Sequence, residues 1–152
     1  MYKLLAFLIL VSFCCTSCRD MFKPQSMRTG DSTNIKNASG FTGDWYWESG
    51  DTTKSFKINL IQLKDSVYGQ YCAAYDKGNK LDCEFNTSYN MFGHKTGDSI
   101  VLTFNSFYGA KNGVAVLTPQ GKTLQWRISL LPVGGDCFAP QQAVMYRSIK
   151  NW

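Results

Sequence analysis

The side chains of this 152-residue chain that could do chemistry are its six cysteines and its one histidine. Three of the cysteines fall within the first 18 residues, and the other three are Cys72, Cys83 and Cys137. A nucleophilic thiol needs a neighbouring base that holds it as the thiolate. His94 lies in a segment with the composition of a turn, and no sequence pattern places it beside Cys137. We therefore interpret Cys137 as a buried free thiol, with a competing role in a disulfide as the alternative.

A pair of opposed strands is predicted around residues 76–79, DKGN, which supply the Gly and Asn that hairpin turns prefer. If Lys77 and Gly78 form the centre of that turn, Cys72 and Cys83 lie directly opposite each other. Opposed residues on antiparallel strands have Cα atoms about 4.5–5.5 Å apart, which is inside the range that a disulfide spans. We therefore predict a Cys72–Cys83 disulfide, formed outside the cytoplasm, where disulfides persist.

The chain after Cys18 lacks the motifs of common catalytic and metal sites. It contains no Gly-x-Ser-x-Gly, His-Glu-x-x-His or Cys-x-x-Cys pattern and no glycine-rich phosphate loop. A single histidine excludes most His-based metal sites. Asp82 and Glu84 flank Cys83 and are expected on a solvated strand face that points away from it. The sequence predicts a non-catalytic protein without metal or cofactor; a hydrolase that uses carboxylates alone is the remaining enzymatic alternative, and no carboxylate pair stands out.

The chain after residue 42 has the pattern of antiparallel β-structure. Apolar and polar residues alternate in segments 56–60 and 124–130, as expected for strands with one buried face. Gly- and Asn-rich segments separate such strands, and 14% of all residues are aromatic. We predict an all-β fold, a small antiparallel up-and-down barrel of about eight strands, with a β-sandwich as the alternative. The expected strands lie near residues 43–49, 54–63, 66–75, 80–88, 99–106, 113–118, 123–131 and 142–149.

Residues 1–17 differ from the rest of the chain and have the composition of a signal peptide. Lys3 is followed by an apolar run over residues 4–13, which is too short to span a bilayer as a helix. The segment then closes on small residues before Cys18, so it resembles the lipobox of bacterial lipoproteins, although Cys15 stands where Leu is more common. The resemblance implies cleavage before Cys18 and acylation of its thiol. A plain secreted protein, in which Cys18 is incidental, is the alternative.

Residues 18–40 are expected to form a flexible tether between the lipid anchor and a domain that covers residues 41–152. The tether is rich in Ser, Thr, Asn, Gly and Lys, so it cannot bury enough apolar surface to offset the entropy lost on ordering. Several acyl chains on Cys18 would hold the protein firmly at the membrane, whereas one chain binds only marginally. Because Arg19 rather than Asp follows Cys18, we expect the outer membrane of the bacterial cell envelope.

The formal net charge of +5 gives no argument for nucleic-acid binding. Five basic and two acidic residues lie in the first 40 residues, which leaves the domain with a net charge of only +2. A nucleic-acid footprint needs clustered Lys and Arg with stacking aromatic residues, and here the charges are scattered. We therefore expect no nucleic-acid partner.

A short motif connects the two ends of the predicted domain. Gly43 and Trp45 open the first strand, and Arg147 lies in the last one. This arrangement resembles the Gly-x-Trp motif of the lipocalins and the wider calycin family, whose first-strand Trp packs against a last-strand Arg or Lys. The resemblance implies that these three residues close one end of the barrel, with the cation on the face of the indole ring. It covers these positions alone, and the family's middle motif has no counterpart here.

A binding module without catalytic activity is the function that these features predict. The calycin resemblance implies a small apolar ligand in the barrel, and the envelope location also suits an envelope component. The alternatives are a protein inhibitor or immunity protein against a cell-wall-degrading enzyme, and an accessory structural subunit of an envelope complex. An internal cavity would favour the ligand, whereas a filled core with clustered loop aromatics would favour a protein partner. The possible binding loops carry Tyr89 with Phe92, and Phe107 with Tyr108.

Overall fold

The computed structural model describes residues 40–83 and 88–148, most of which lie in β-strands. The strands in this part are β1 (Gly43–Glu48), β2 (Ser55–Leu63), β3 (Ser66–Tyr75), β4 (Lys80–Cys83), β5 (Met91–Thr96), β6 (Ser99–Phe104), β7 (Gly113–Gln120), β8 (Thr123–Leu130) and β9 (Gln142–Arg147). Within the same residues, no helix has the length and apolar character needed to cross a membrane. The predicted signal peptide, the Cys18 anchor and the tether up to residue 39 lie outside the described residues.

Eight of these strands close into a barrel. They pair antiparallel in the order β1-β2-β3-β5-β6-β7-β8-β9, and β9 returns to pair with β1, where Arg147 lies opposite Trp45. β4 lies outside this ring and pairs with the end of β3. The predicted all-β class and up-and-down barrel are confirmed, and the fold is not a β-sandwich.

The connections give the barrel two different ends. At the end that we call the turn end, two-residue turns join successive strands at residues 64–65, 97–98 and 121–122. At the opposite end, the loop end, the connections are longer and comprise residues 49–54, 76–79, 105–112 and 131–141. The described chain enters β1 and leaves β9 at the turn end. The loop end therefore lies on the side of the barrel away from the entry of the chain.

The fourth strand of the barrel differs from the sequence prediction. We expected it near residues 80–88 with a loop after it, but β4 ends at Cys83 and the barrel strand is β5. Met91 is the one fully buried residue of β5, so this segment lacks the apolar alternation that marks a strand. Gly93 led us to expect a turn at this position, because glycine is common in turns. In the structure Gly93 lies within β5, and glycine is needed because β6 passes so close that a Cβ atom on residue 93 would lie 2.6 Å from the Leu102 Cα atom.

Large side chains fill the interior of the barrel. Phe56, Tyr71, Phe104 and Trp126 form a closed layer of four rings, with centroids 4.9 to 5.9 Å apart between successive rings. Tilted and edge-on pairs of this kind contribute about 0.5–1.5 kcal/mol beyond the area that they bury. The interior is packed by side chains, as is usual in small barrels. The aliphatic side chains buried with this layer are Ile58, Leu60, Met91, Ile100, Leu102, Leu117, Leu124 and Met145.

Trp45 and Arg147 meet at the turn end. The buried Trp45 ring donates a hydrogen bond from Nε1 to the Phe41 carbonyl oxygen at 2.9 Å. The Arg147 guanidinium lies 4.3 Å from the centroid of the Trp45 ring, which is a cation–π distance. The same guanidinium donates hydrogen bonds to the carbonyl oxygens of Thr42 and Gly40. This one side chain therefore ties the last strand to the first strand and to the segment that enters it.

Replacing Gly43 with Ala is expected to lower the free energy of unfolding by about 1–3 kcal/mol. Gly43 has a φ of +126°, which other residues rarely adopt, and an added Cβ atom would collide with the Arg147 Nη1 atom. Urea denaturation followed by circular dichroism measures the change. Gly50→Ala is the matched control, because a Cβ atom there meets nothing within 4 Å. The control should change stability by less than about 0.5 kcal/mol; equal stability of the two variants would contradict the strain assigned to Gly43.

Candidate functional site at the loop end

Asp82 of β4 points into the loop end of the barrel and is completely buried. We expected Asp82 and Glu84 on a solvated strand face; for Asp82 this is wrong, and Glu84 lies outside the described residues. The alternation along β4 does turn Asp82 away from Cys83, as predicted. The face onto which it turns is covered by the loops 105–112 and 131–141, which supply donors to its carboxylate. Its burial therefore depends on segments that lie far away in the sequence.

Four neutral donors surround the Asp82 carboxylate. Oδ1 accepts a hydrogen bond from the Phe107 backbone N–H at 2.8 Å and lies 3.0 Å from the Ser106 hydroxyl. Oδ2 accepts from the Tyr71 hydroxyl at 2.9 Å and from the Phe138 backbone N–H at 3.0 Å. A buried carboxylate is costly without such partners, and hydrogen bonds to a charged group contribute about 1.5–3 kcal/mol each. The carboxylate thereby fixes β3, β4 and both loops relative to one another.

Direct contacts between the two loops add to this arrangement. The Ser106 hydroxyl also lies 2.6 Å from the Asp136 carbonyl oxygen, so its single hydrogen serves either that oxygen or Asp82. Lys111 and Val133 exchange two backbone hydrogen bonds, of 2.8 and 3.0 Å. The loops 105–112 and 131–141 are therefore paired as two short strands would be, and they form one platform over the loop end.

The predicted disulfide is confirmed, and it holds β4 against β3. Cys72 and Cys83 are bonded and lie opposite each other in register, with Cα atoms 4.2 Å apart. The connection through residues 76–79 has the register that the sequence predicted. β4 has four residues and is paired along β3 alone in the described part of the chain. The covalent link, worth about 2–3 kcal/mol for a loop of this length, therefore secures the strand that carries Asp82.

Asp82 affects the pKa of two neighbouring groups, the Tyr71 hydroxyl and the Cys137 thiol. Burial raises the pKa of the Tyr71 hydroxyl well above its usual range, and the negative charge of Asp82 raises it further. Burial also raises the pKa of the Cys137 thiol, with a smaller contribution from Asp82. Both groups are therefore protonated at neutral pH, and a protonated thiol is a poor nucleophile. His94 lies in β5 opposite Ser66, near the turn end, so the structure does not bring it to Cys137.

Four aromatic side chains, which we call the aromatic rim, lie together on the outside of the platform: Tyr75, Phe107, Tyr108 and Phe138. Ring centroids are 5.8 Å apart for Tyr75 and Phe138, 5.1 Å for Tyr108 and Phe138, and 5.7 Å for Phe107 and Tyr108. Phe107 is 55% exposed, Tyr108 43% and Tyr75 37%. The predicted loop residues Phe107 and Tyr108 therefore belong to a larger surface, which Tyr75 and Phe138 complete.

The other predicted aromatic pair lies on the outer wall of the barrel. Phe92 is 48% exposed and lies within β5, opposite Tyr68 of β3, so its predicted position in a loop is wrong. Tyr89 precedes β5 and stacks on the Tyr68 ring, with centroids 5.9 Å apart. The error follows from the missed strand, because a short segment with one buried residue was taken for a loop. Tyr89 and Phe92 do not belong to the aromatic rim.

Cations and apolar side chains flank the aromatic rim. The Lys54 ammonium lies 4.6 Å from the centroid of the Tyr75 ring, and the Lys80 ammonium lies 5.7 Å from that of the Phe138 ring. Both distances are within the range of cation–π contacts. Two further apolar side chains of the loop 131–141, Leu131 and Val133, are also exposed. The four rings of the rim are in contact with one another, and contiguous exposed apolar groups mark interaction sites more often than isolated ones do.

Asp82→Asn is expected to lower the free energy of unfolding by about 2–4 kcal/mol, because an amide nitrogen would face two of the four buried donors. Urea denaturation measures the loss, and amide hydrogen exchange should show faster exchange at Phe107 and Phe138. Asp98→Asn, at an exposed position in a turn at the turn end, is the control and should change stability by less than about 0.5 kcal/mol. If Asp82→Asn behaved like this control, the carboxylate would not hold the loops.

The loop end thus carries an aromatic surface on loops that are hydrogen-bonded to a buried carboxylate. Among residues 40–83 and 88–148, no group of three His, Cys, Asp or Glu side chains is placed to hold a metal ion. The Tyr71 hydroxyl is buried and bound to Asp82, whereas Cys137 is a free thiol that is only partly buried, not fully buried as predicted. In comparisons with known proteins, no family model, curated protein or solved structure gives a significant match to this chain.

Proposed function

We propose that this protein is a lipid-anchored component of the bacterial cell envelope whose barrel binds another protein through the aromatic rim, without catalysing a reaction. The observation that carries the proposal is the set of exposed aromatic side chains on loops that a buried carboxylate holds in place. Aromatic residues dominate the energetic centres of protein interfaces. The proposed partner is an envelope protein, and an inhibitor or immunity role against a cell-wall-degrading enzyme is the form that we favour.

The rigidity of the two loops supports an inhibitor-like role. Binding loses less free energy when the contact residues are already ordered in the free protein. Here the Phe107 and Phe138 backbone N–H groups are both bound to Asp82, so two rim residues are fixed through their main chain. Complexes of pre-organised inhibitors form with little rearrangement of the interface backbone. The hydrogen bonds to Asp82 order the platform in the same way before any partner binds.

A small apolar ligand inside the barrel is the less favoured alternative. The four-ring layer and the aliphatic side chains below it occupy the interior that such a ligand would need. A cleft of about 540 Å³ lies on the outer wall instead, where Tyr46, Lys57 and Tyr146 are among its lining residues. The resemblance to calycin barrels is supported by the closed barrel and by the contact of Arg147 with Trp45. Both observations concern architecture rather than a ligand.

The direction of the chain also suits a tethered binding module. Gly40 accepts a hydrogen bond from Arg147 at the turn end, so the proposed tether joins the barrel at the end opposite the aromatic rim. A flexible tether over residues 18–40 would have an end-to-end distance of roughly 25 Å. With acylation at Cys18, a tether of this length would let the barrel reach partners in the surrounding compartment.

Cys18→Ser is expected to abolish incorporation of a fatty acid into the protein, because the thiol is the proposed acceptor. Growth of the producing cell with an alkyne-labelled palmitate, followed by purification and mass spectrometry, measures the modification. Cys137→Ser should keep the label and serves as the control. Undiminished labelling of Cys18→Ser would refute the proposed anchor.

A photo-reactive benzoyl-phenylalanine in place of Phe107 is expected to cross-link the full-length protein to a discrete protein partner in the producing cell. The same residue in place of Phe92 is the matched control, since both side chains are about half exposed but Phe92 lies on the outer wall. The adducts are identified by mass spectrometry of proteins and lipids. Adducts to lipid alone, adducts of equal yield from both positions, or none from position 107 would count against a protein partner at the rim.

A further inference from the structure

A cleft of about 290 Å³ opens at the side of the aromatic rim, between the end of β1 and the loop 131–141. Trp47, Tyr75 and Phe138 supply aromatic walls, and Cys137 and Ala139 lie in the same lining. We call this space the rim cleft. Its volume is at the lower limit of pockets that enclose whole small-molecule ligands, which start at about 300 Å³. It therefore suits one large side chain of a protein that covers the rim, in the manner of a buried interface anchor.

Positively charged lysine side chains lie near the aromatic walls of the rim cleft. Lys54 lines the cleft and lies over the Tyr75 ring, while Lys80 lies over the Phe138 ring, so two ammonium groups face its aromatic walls. The Lys77 backbone is joined to the β1–β2 loop through a hydrogen bond from its N–H to the Thr53 carbonyl oxygen at 2.9 Å, which brings a third lysine to the same region.

Two acidic side chains of the neighbouring loops, those of Asp51 and Asp76, have hydrogen-bond partners within their own turns, whereas Asp136 of the loop 131–141 is exposed. Asp51 accepts hydrogen bonds from the Ser49 hydroxyl at 2.6 Å and from the Thr53 hydroxyl at 2.9 Å. Asp76 lies 3.3 Å from the Asn79 amide nitrogen. The Asp51 and Asp76 carboxylates are therefore engaged within their own turns, and the charged groups that lie over the aromatic walls of the cleft are those of Lys54 and Lys80.

We propose that the rim cleft is the specificity pocket of this surface and that it receives an aromatic side chain from an acidic segment of the partner protein. The aromatic ring would pack between Trp47, Tyr75 and Phe138, and carboxylates on either side of it would pair with Lys54 and Lys80. The inference rests on the proposed protein-binding function and adds the chemistry of the segment that is bound. Apolar burial supplies most of the affinity, and the lysines supply selectivity for acidic sequences.

Peptides that compete for the cleft test this inference, with Cys137 as the reporter because it lies in the lining. The protein isolated from the cell envelope, in lipid nanodiscs, is treated with N-ethylmaleimide, and alkylation of Cys137 is followed by mass spectrometry. The peptide acetyl-EDFDE-amide should slow alkylation with a midpoint of about 1 mM. Acetyl-EDADE-amide should bind about tenfold more weakly or worse, because it lacks the ring. The neutral acetyl-QNFNQ-amide should bind about threefold more weakly.

A matched pair of lysine variants separates the contribution of charge to peptide binding from that of packing. Lys54→Gln should weaken the effect of acetyl-EDFDE-amide about threefold and leave that of acetyl-QNFNQ-amide unchanged. Lys122→Gln, at the turn end, should alter neither. Both lysines are exposed, so the variants keep the fold. Equal responses of these two variants to the acidic peptide would overturn the role of Lys54.

The outcomes also distinguish this inference from the proposed function. Absence of protection by acetyl-EDFDE-amide at about 5 mM, or equal protection by the peptide that lacks the ring, would overturn the rim cleft as an anchor pocket. If position 107 still cross-linked to a protein in that case, the proposed function would stand without the pocket. Protection by the peptide without any protein adduct from position 107 would support the pocket and count against docking across the whole rim.

Discussion

Burial of the Asp82 carboxylate is the constraint on which the loop end depends. A charge inside a protein must find donors for its lone pairs, and β4 places this one where the barrel alone provides a single donor, the Tyr71 hydroxyl. The remaining donors come from two loops, so residues 105–112 and 131–141 must both converge on the same carboxylate. The aromatic rim exists because Phe107 and Phe138 are the residues whose main chain is bound there.

The two ends of the barrel are closed by different interactions. The turn end is closed by a cation on the face of an indole ring, and Arg147 also binds the carbonyl oxygens of the segment that precedes β1. At the loop end, the Asp82 carboxylate accepts hydrogen bonds from neutral donors of β3 and of the two loops. Between the two ends, the layer of Phe56, Tyr71, Phe104 and Trp126 separates them, since it fills the width of the interior. With the interior occupied, a binding partner would have to use the outer surface, where the aromatic rim lies at the loop end.

Sequence reasoning succeeded where one local rule decides the outcome. The turn at residues 76–79 sets the register that brings Cys72 opposite Cys83, and alternation along the strands predicted the all-β barrel. It failed where a position depends on distant segments. Gly93 is a turn residue by its local context, but it is a strand residue because β6 packs against it. Alternation correctly turned Asp82 away from Cys83, yet it carries no information about two loops that follow more than twenty residues later and cover that face.

The hydrogen bonds of the Asp82 carboxylate also support the proposal that the loop end binds a partner rather than catalysing a reaction. A carboxylate that acts as a base needs a free lone pair directed at a substrate, whereas both oxygens of Asp82 are already bound to donors of the protein itself. Tyr71 serves as one of those donors only while it is protonated, and its raised pKa keeps it so. These bonds therefore order the loops in the free protein, which would lower the entropy cost of binding for the proposed partner. At the edge of this ordered surface, Lys54 and Lys80 lie beside the aromatic rings, and the selectivity proposed for the rim cleft depends on these two side chains.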